Sequence, residues 1–223
     1  SIDKEKFNLR MVATEIRVKV GEDFELADIY EAKIPGTDVI TYFVDNPKYF
    51  DRDGMYQEKG DDYTDNIERF TFFCRAILQF IKQKGWEPHI IHANDWQTAL
   101  IPCYLKTIYS QDPFFSRIAT VYSIHNMGYQ GMFEKEAMRV IGLPEEFFSM
   151  QYLEFHGKVN LAKSGIVFSD ILNTVSEGYK REILTPEYGC GLDGVLRNRV
   201  DDLYGILNGL DYELWDPSVD NLI

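Results

Sequence analysis

From Glu15 to Val20 the chain alternates strictly between polar and apolar residues (Glu-Ile-Arg-Val-Lys-Val), the period of a strand with one face buried. After Gly21-Glu-Asp23 the alternation resumes from Phe24 to Ile34, so the two runs predict a hairpin. A second turn, Pro35-Gly36-Thr37-Asp38, leads into a third strand over Val39–Val44. From Asp45 to Asp62 the pattern is irregular and aromatic, and Tyr49, Phe50, Met55 and Tyr56 read as a loop folded over the edge of that sheet. The period then changes. Ile67, Phe70, Cys74, Ile77, Leu78 and Ile81 recur at helical spacing, with Asp65-x-x-Glu68 as a capping box and Gly85 as the stop.

Further on, short apolar runs alternate with helical patterns. Strands are expected at Pro88–His92, from Arg117 to Ile124, at Asp170–Val175 and at Leu203–Leu207. Between them, Asp95 is expected to cap a helix that Pro102 kinks, Lys135–Ile141 and Asn160–Phe168 read as short helices, and Ser176 caps a helix to about Leu184. Ile90-Ile91 is apolar on both faces, as in a strand buried between helix layers. The arrangement predicts an α/β fold: a Rossmann-like parallel sheet with helices on both faces, plus a β-hairpin region near the N-terminus. A length of 223 residues fits a single domain over 1–223.

Charge narrows the partners. With 23 basic and 36 acidic residues the net charge is −13, which disfavours nucleic acid and anionic membranes. Several of the acids, from Asp51 to Glu68, read as a solvated loop and helix entry. No apolar run approaches the ~18 residues of a membrane span. The three cysteines are far apart and odd in number; Cys74 and Cys103 sit among apolar residues and read as core. This usage points to a reducing compartment, bacterial cytoplasm or plastid stroma.

Candidate chemistry lies at two strand ends. One strand runs into His92-Ala-Asn-Asp95-Trp96-Gln97-Thr98, the other into His125-Asn126-Met-Gly-Tyr129-Gln130-Gly131. Ligands of open α/β sheets bind just beyond the carboxyl ends of the strands, so His125, Asp95 and Asn208, each just past a short apolar run, are expected to open onto one crevice. The plainer alternatives are a hydrogen-bonded core histidine and an aspartate that only caps its helix. His89 and His92 point to opposite faces of their strand, with no carboxylate or thiolate at ligand spacing, so no metal is expected. Gly189-Cys-Gly191-Leu-Asp-Gly194 matches a dinucleotide pattern but follows helix and turn instead of a strand, and no cofactor is expected.

His92-Ala-Asn-Asp-Trp-Gln-Thr, Ile124-His-Asn-Met-Gly-Tyr-Gln-Gly, Thr174-Val-Ser, the segment Tyr188–Leu196 and Leu207-Asn-Gly-Leu-Asp-x-x-x-Trp-Asp-Pro217 together resemble the ADP-glucose-type glycogen and starch synthases, in order, from about residue 9 to the end. The resemblance implies a retaining glycosyltransferase of two facing Rossmann-like domains (GT-B), of which this chain is the N-terminal, acceptor-side one. It further implies that the family's first β-α-β segment, with its Lys-Thr-Gly-Gly-Leu loop, and its C-terminal donor-binding domain are absent. One edge of strand 88–92 is therefore expected to be open, or patched by residues 9–44, and the chain alone is expected to be inactive. By the same resemblance the catalytic residues are His125 and Asp95, and the substrate-binding residues are Tyr56, Asn126, Gln130 and Asn208. The implied partners are ADP-glucose, held mainly by the other domain, and an α-1,4-glucan acceptor. Two further readings stay open: a related transferase using another sugar nucleotide, and a non-catalytic glucan-binding protein.

Overall fold

The alternating runs build the first sheet. Strand β1 (Arg10–Val20) pairs antiparallel with β2 (Asp23–Lys33), which pairs with β3 (Ile40–Asp45). A computed structural model describes residues 3–212 and 215–218. In it β1 reaches further toward the N-terminus than the strictly alternating run, at the expense of two register shifts between Met11 and Ile16. Glu15 bulges there at φ +54, and the Asp28 carboxylate accepts its N–H (3.0 Å) and the Thr14 hydroxyl (2.7 Å).

After β3, Asn46 caps a one-turn helix, α1 (Pro47–Phe50), with proline at its first position. A two-residue hairpin follows, β4 (Gln57–Glu58) with β5 (Asp61–Asp62). Helix α2 (Asn66–Gln83) then buries its apolar stripe against the first sheet, whose Ile16, Val18, Val20, Ala27 and Ile29 are all buried. Tyr49 and Phe50 pack on Phe72 and Phe73 of α2, while Met55 is 76% exposed. The expected capping box does not form. Asp65 makes no side-chain bond to the helix, because Arg52 takes both of its carboxylate oxygens.

The second sheet is parallel. Strand β6 (Ile90–Asn94) leads through α3 (Asp95–Thr98) and α4 (Leu100–Lys106) to β7 (Ala119–Ile124). Next come β8 (Met132–Phe133), α5 (Ala137–Ile141), β9 (Glu154–Phe155) and β10 (Lys158–Asn160), the three strands forming a small antiparallel sheet. Helix α6 (Leu161–Phe168), β11 (Ile171–Thr174), α7 (Glu177–Ile183), α8 (Asp193–Arg197) and β12 (Leu203–Gly205) complete the order. The sheet runs β12-β11-β7-β6. Asn160 and Ser176 cap α6 and α7 with their side chains (both 2.9 Å). Gly165 of α6 lies so close to Tyr122 of β7 that a Cβ would stand 2.6 Å from the ring.

Three strand and helix expectations need correction. Strand β6 begins at Ile90, two residues later than expected, and is buried only at Ala93; Ile90 is 58% exposed. The cause is its place at the edge: among the described residues it pairs with β7 alone, and the first sheet remains separate from it. The helix break falls at Ala99 instead of at Pro102, since the proline has no N–H for the carbonyl of Thr98 four residues earlier. Strand β12 stops at Gly205, short of Leu207, although the Ile206 N–H still bonds the Thr174 carbonyl (2.8 Å). Cys74 and Cys103 are fully buried, and burial pushes the Cys74 thiol up to about 12. No helix among the described residues is long and apolar enough to cross a membrane.

Candidate functional site

Register decides what meets at the end of the second sheet. Asn94 of β6 lies opposite Ser123 of β7, so Asp95 and His125, each one or two residues further on, emerge side by side at the carboxyl ends. Asp95 turns the chain with φ +55. It is not the helix cap it was expected to be: the residue at the cap position is Asn94, and Asp95 Oδ1 instead accepts the backbone N–H of His125 (2.9 Å). Thr98 satisfies the helix entry, its hydroxyl bonding both the N–H (2.6 Å) and the carbonyl (2.7 Å) of Asn94. The His125 imidazole is exposed, and its Nε2 lies 3.0 Å from Asn94 Oδ1. An amide oxygen only accepts, so in this contact the ring Nε2 is the donor. Beneath this pair, burial pushes the Tyr122 phenol well above its ordinary value, the Asp95 charge adds to the shift, and Tyr122 stays neutral.

The loop after His125 is tightly built. Asn126 is exposed, and its Oδ1 accepts the Gly128 N–H (2.9 Å). The Met127 N–H donates to the Tyr179 hydroxyl (3.0 Å). Gln130 is buried and points inward: Nε2 donates to the carbonyls of Met127 (3.0 Å) and Cys190 (3.1 Å), and Oε1 accepts from Asn160 (2.6 Å). Its amide braces the loop, with both Nε2 hydrogens and one Oε1 lone pair engaged, and the residue also lines the larger of the two cleft lobes beside Asp95. Gly131, at φ +62, lies where a Cβ would stand 2.4 Å from the Trp96 ring.

Two cleft lobes flank Asp95. One, of about 680 Å³, is walled by Tyr56, Trp96, Asn126, Tyr129 and Phe133. The other, of about 590 Å³, is walled by Arg52, Gly54, Arg69 and Asn94. Tyr56, Asp95 and Gln97 line both. The Tyr56 and Trp96 ring centres are 6.5 Å apart. His125 stands on the rim and lines neither lobe. Asn208 is exposed beyond β12, two strands from β7 or about 10 Å across the sheet, and is not part of either lobe. A separate cleft of about 620 Å³ beside Phe155 and Arg197 contains none of these residues; Lys163 there donates to the carbonyls of Met150 and Glu154. Among the described residues no group of three or more His, Cys, Asp or Glu could hold a metal.

The profile of the starch synthase catalytic domain matches residues 1–198. The chain belongs to the starch synthase catalytic domain family. It is 50% identical over 221 residues to a glycogen synthase of Thermotoga maritima, covering 99% of this chain and 44% of the relative. It is 46% identical over 223 residues to glycogen synthase 1 of Geobacter metallireducens, again covering 44% of the relative. The chain thus spans less than half the length of the curated relatives it matches. The catalytic domain of starch synthase IV from Arabidopsis thaliana, bound to ADP and acarbose, superposes with a TM-score of 0.84 at 29% identity, over 97% of this chain and 44% of that one. The fold is one Rossmann-like half of a GT-B glycosyltransferase with an antiparallel hairpin region at its N-terminus.

For a member of this family, pattern reading misses part of the cleft. Trp96 reads only as a helix start, and Tyr129 only as a residue of the glycine-containing loop. Arg69 is hidden in a helical stripe of apolar residues. The available signal was its charge on a buried helix face, one turn after the equally buried Asn66.

Proposed function

We propose that this chain is the acceptor-side half of a retaining glucosyltransferase that moves glucose from ADP-glucose to the non-reducing end of an α-1,4-glucan. The observation that carries the reading is the bond joining Asp95 to His125 at the carboxyl ends of β6 and β7, beside an aromatic cleft, in a chain half identical to a glycogen synthase. Tyr56 and Trp96 offer ring faces to a sugar, Asp95 offers a carboxylate to an acceptor hydroxyl, and His125 offers a polar ring on the rim. Retaining transfer passes through an oxocarbenium-like state that preorganised dipoles stabilise. None of the cleft residues presents an activated nucleophile, which favours front-face transfer in which the leaving phosphate takes the acceptor proton. A net charge of −13 suits the glucan side better than the donor diphosphate, so donor contacts are assigned to sequence that the longer relatives have in addition. The bacterial relatives favour a cytoplasmic setting.

The test is incorporation of labelled glucose from ADP-glucose into glycogen by the full-length protein. His125→Ala is expected to lower kcat by roughly 100-fold, the scale of losing one preorganised donor; a change confined to KM would reduce His125 to a binding role. The 223 residues alone are expected to show no transfer. Incorporation from UDP-glucose alone would favour a relative with a different donor, and glucan binding without any transfer would favour a non-catalytic binding protein.

A further inference from the structure

We propose that Arg69 is a positioning residue for the acceptor subsite and acts through Tyr56. The inference rests on the reading that Tyr56 contacts the glucan. Arg69 lies in the first turn of α2 and is 3% exposed. Its guanidinium donates in three directions: Nε to the Tyr49 carbonyl (2.8 Å), Nη1 to Asn66 Oδ1 (2.7 Å) and Nη2 to the Met55 carbonyl (2.8 Å). Asn66, 2% exposed, passes the restraint on, its Nδ2 donating to the Tyr56 carbonyl (3.0 Å). The carbonyls on both sides of the Tyr56 amino acid unit, Met55 before and Tyr56 itself after, are therefore held from one helix by two interlocked side chains.

The remaining tethers act elsewhere on the loop or from its own hairpin: Arg52, four residues before Tyr56, pairs with Asp65 at the helix entry. Residues 51–56 form no regular element, and Asp51, Asp53, Met55 and Tyr56 are exposed. The Tyr63 N–H also bonds the Tyr56 carbonyl (3.0 Å), and the Tyr63 hydroxyl accepts from the Gly54 N–H (3.3 Å). The Tyr63 bonds fix the loop to its own hairpin and Arg52 fixes its start to the α2 entry, whereas Arg69 and Asn66 are the buried side chains that fix the carbonyls beside Tyr56 to the core.

The choice of residue is informative. Arg69 is a buried cation whose hydrogen-bonding partners are all neutral oxygens. Burial is the largest influence and disfavours its charged form, Arg52 disfavours it further, and the Asp65 carboxylate and Tyr63 offset only part of this. A methionine would fill similar volume without that penalty. What a methionine or a lysine lacks is a planar fork that reaches three fixed directions at once. The fork sets the loop height at which Tyr56 stands between the two lobes on either side of Asp95.

Binding of maltoheptaose to this chain, followed by NMR titration, tests the proposal through a double-mutant cycle. Arg69→Lys is expected to raise the Kd by about tenfold in the presence of Tyr56, and by less than about twofold once Tyr56→Ala has been made, because coupled residues are non-additive. The cycle with Asn66→Ala is expected to behave in the same way and serves if Arg69→Lys does not fold. Additive effects in both cycles, or a lowered melting temperature with unchanged Kd, would overturn the proposal and leave Arg69 an ordinary anchor. A wild-type chain that binds no maltoheptaose would overturn the acceptor-side reading and this inference with it, whereas additivity on a binding wild type overturns this inference alone.

Discussion

Gln130 and Asn126 stand four residues apart in one polar loop, and motif reading treats them alike. Packing separates them. Gln130→Leu would strand the carbonyls of Met127 and Cys190 and the Asn160 amide, with a cost of about 2–3 kcal/mol for buried groups left unpaired. Asn126→Ala removes an exposed side chain that holds a local turn and is expected to change stability by less than about 0.5 kcal/mol. Urea unfolding of the two variants distinguishes them; equal losses would contradict the inward bracing role. Residue type was legible in the sequence, but orientation was not, because Gln130 is held by partners 30 and 60 positions away. Asp170 gives a pH prediction at the same scale. Burial pulls its carboxyl up, but the bonds to Lys106 (2.6 Å) and to the Thr120 N–H (2.7 Å) and hydroxyl (2.9 Å) outweigh burial and hold it below the ordinary 3.8. A depressed folded value means that the stabilisation is present above the unfolded value and is lost as pH falls through the folded one. Stability should therefore drop below about pH 3.8, and Asp170→Asn should flatten that limb of a stability-against-pH curve. An unchanged acid limb would show that other carboxylates dominate it.

At the scale of elements, strong periodicity was readable and local capping was less so. The stripe from Ile67 to Ile81 and the cap Ser176 lie where the pattern put them, while Asn160, read as the first residue of its helix, is its cap. Asp65 and Asp95 look like equally good caps but serve Arg52 and His125, each contributed by a different part of the chain. A local rule cannot anticipate a competing partner of that kind. The contact between α6 and β7 makes a second case. A Cβ at Gly165 would press on the rigid Tyr122 ring at 2.6 Å, so Gly165→Ala should cost about 1–3 kcal/mol by overpacking. Gly209, with nothing within 4 Å of its added Cβ, is the control, and Gly209→Ala should leave the melting temperature unchanged. Equal behaviour of the two would mean that α6 shifts freely off the sheet.

Over the whole molecule, the one-sided pairing of β6 was anticipated by family resemblance, while the exposure of Ile90 contradicts the buried-strand reading drawn from its sequence. Among the described residues β6 has no strand on its outer side, and with Ile90 58% exposed that edge can offer backbone groups to another chain. Sedimentation of the 223-residue chain should show concentration-dependent association, and Ile90→Lys should reduce it, since a charge on an edge strand opposes pairing. A wild type that stays monomeric at every concentration would contradict this.

The left-handed backbone at Asp95 has a consequence for the history of the site. A residue with a Cβ at φ +55 carries a penalty of about 1–2 kcal/mol that glycine would avoid. Selection for thermal robustness alone would favour glycine there, yet only a side-chain oxygen can clasp the neighbouring loop. Asp95→Gly should therefore cost little in melting temperature, because relief of strain offsets the lost bond to His125, while removing the carboxylate altogether. Asp95→Asn keeps both the tolerated geometry and an acceptor oxygen, and removes only the charge.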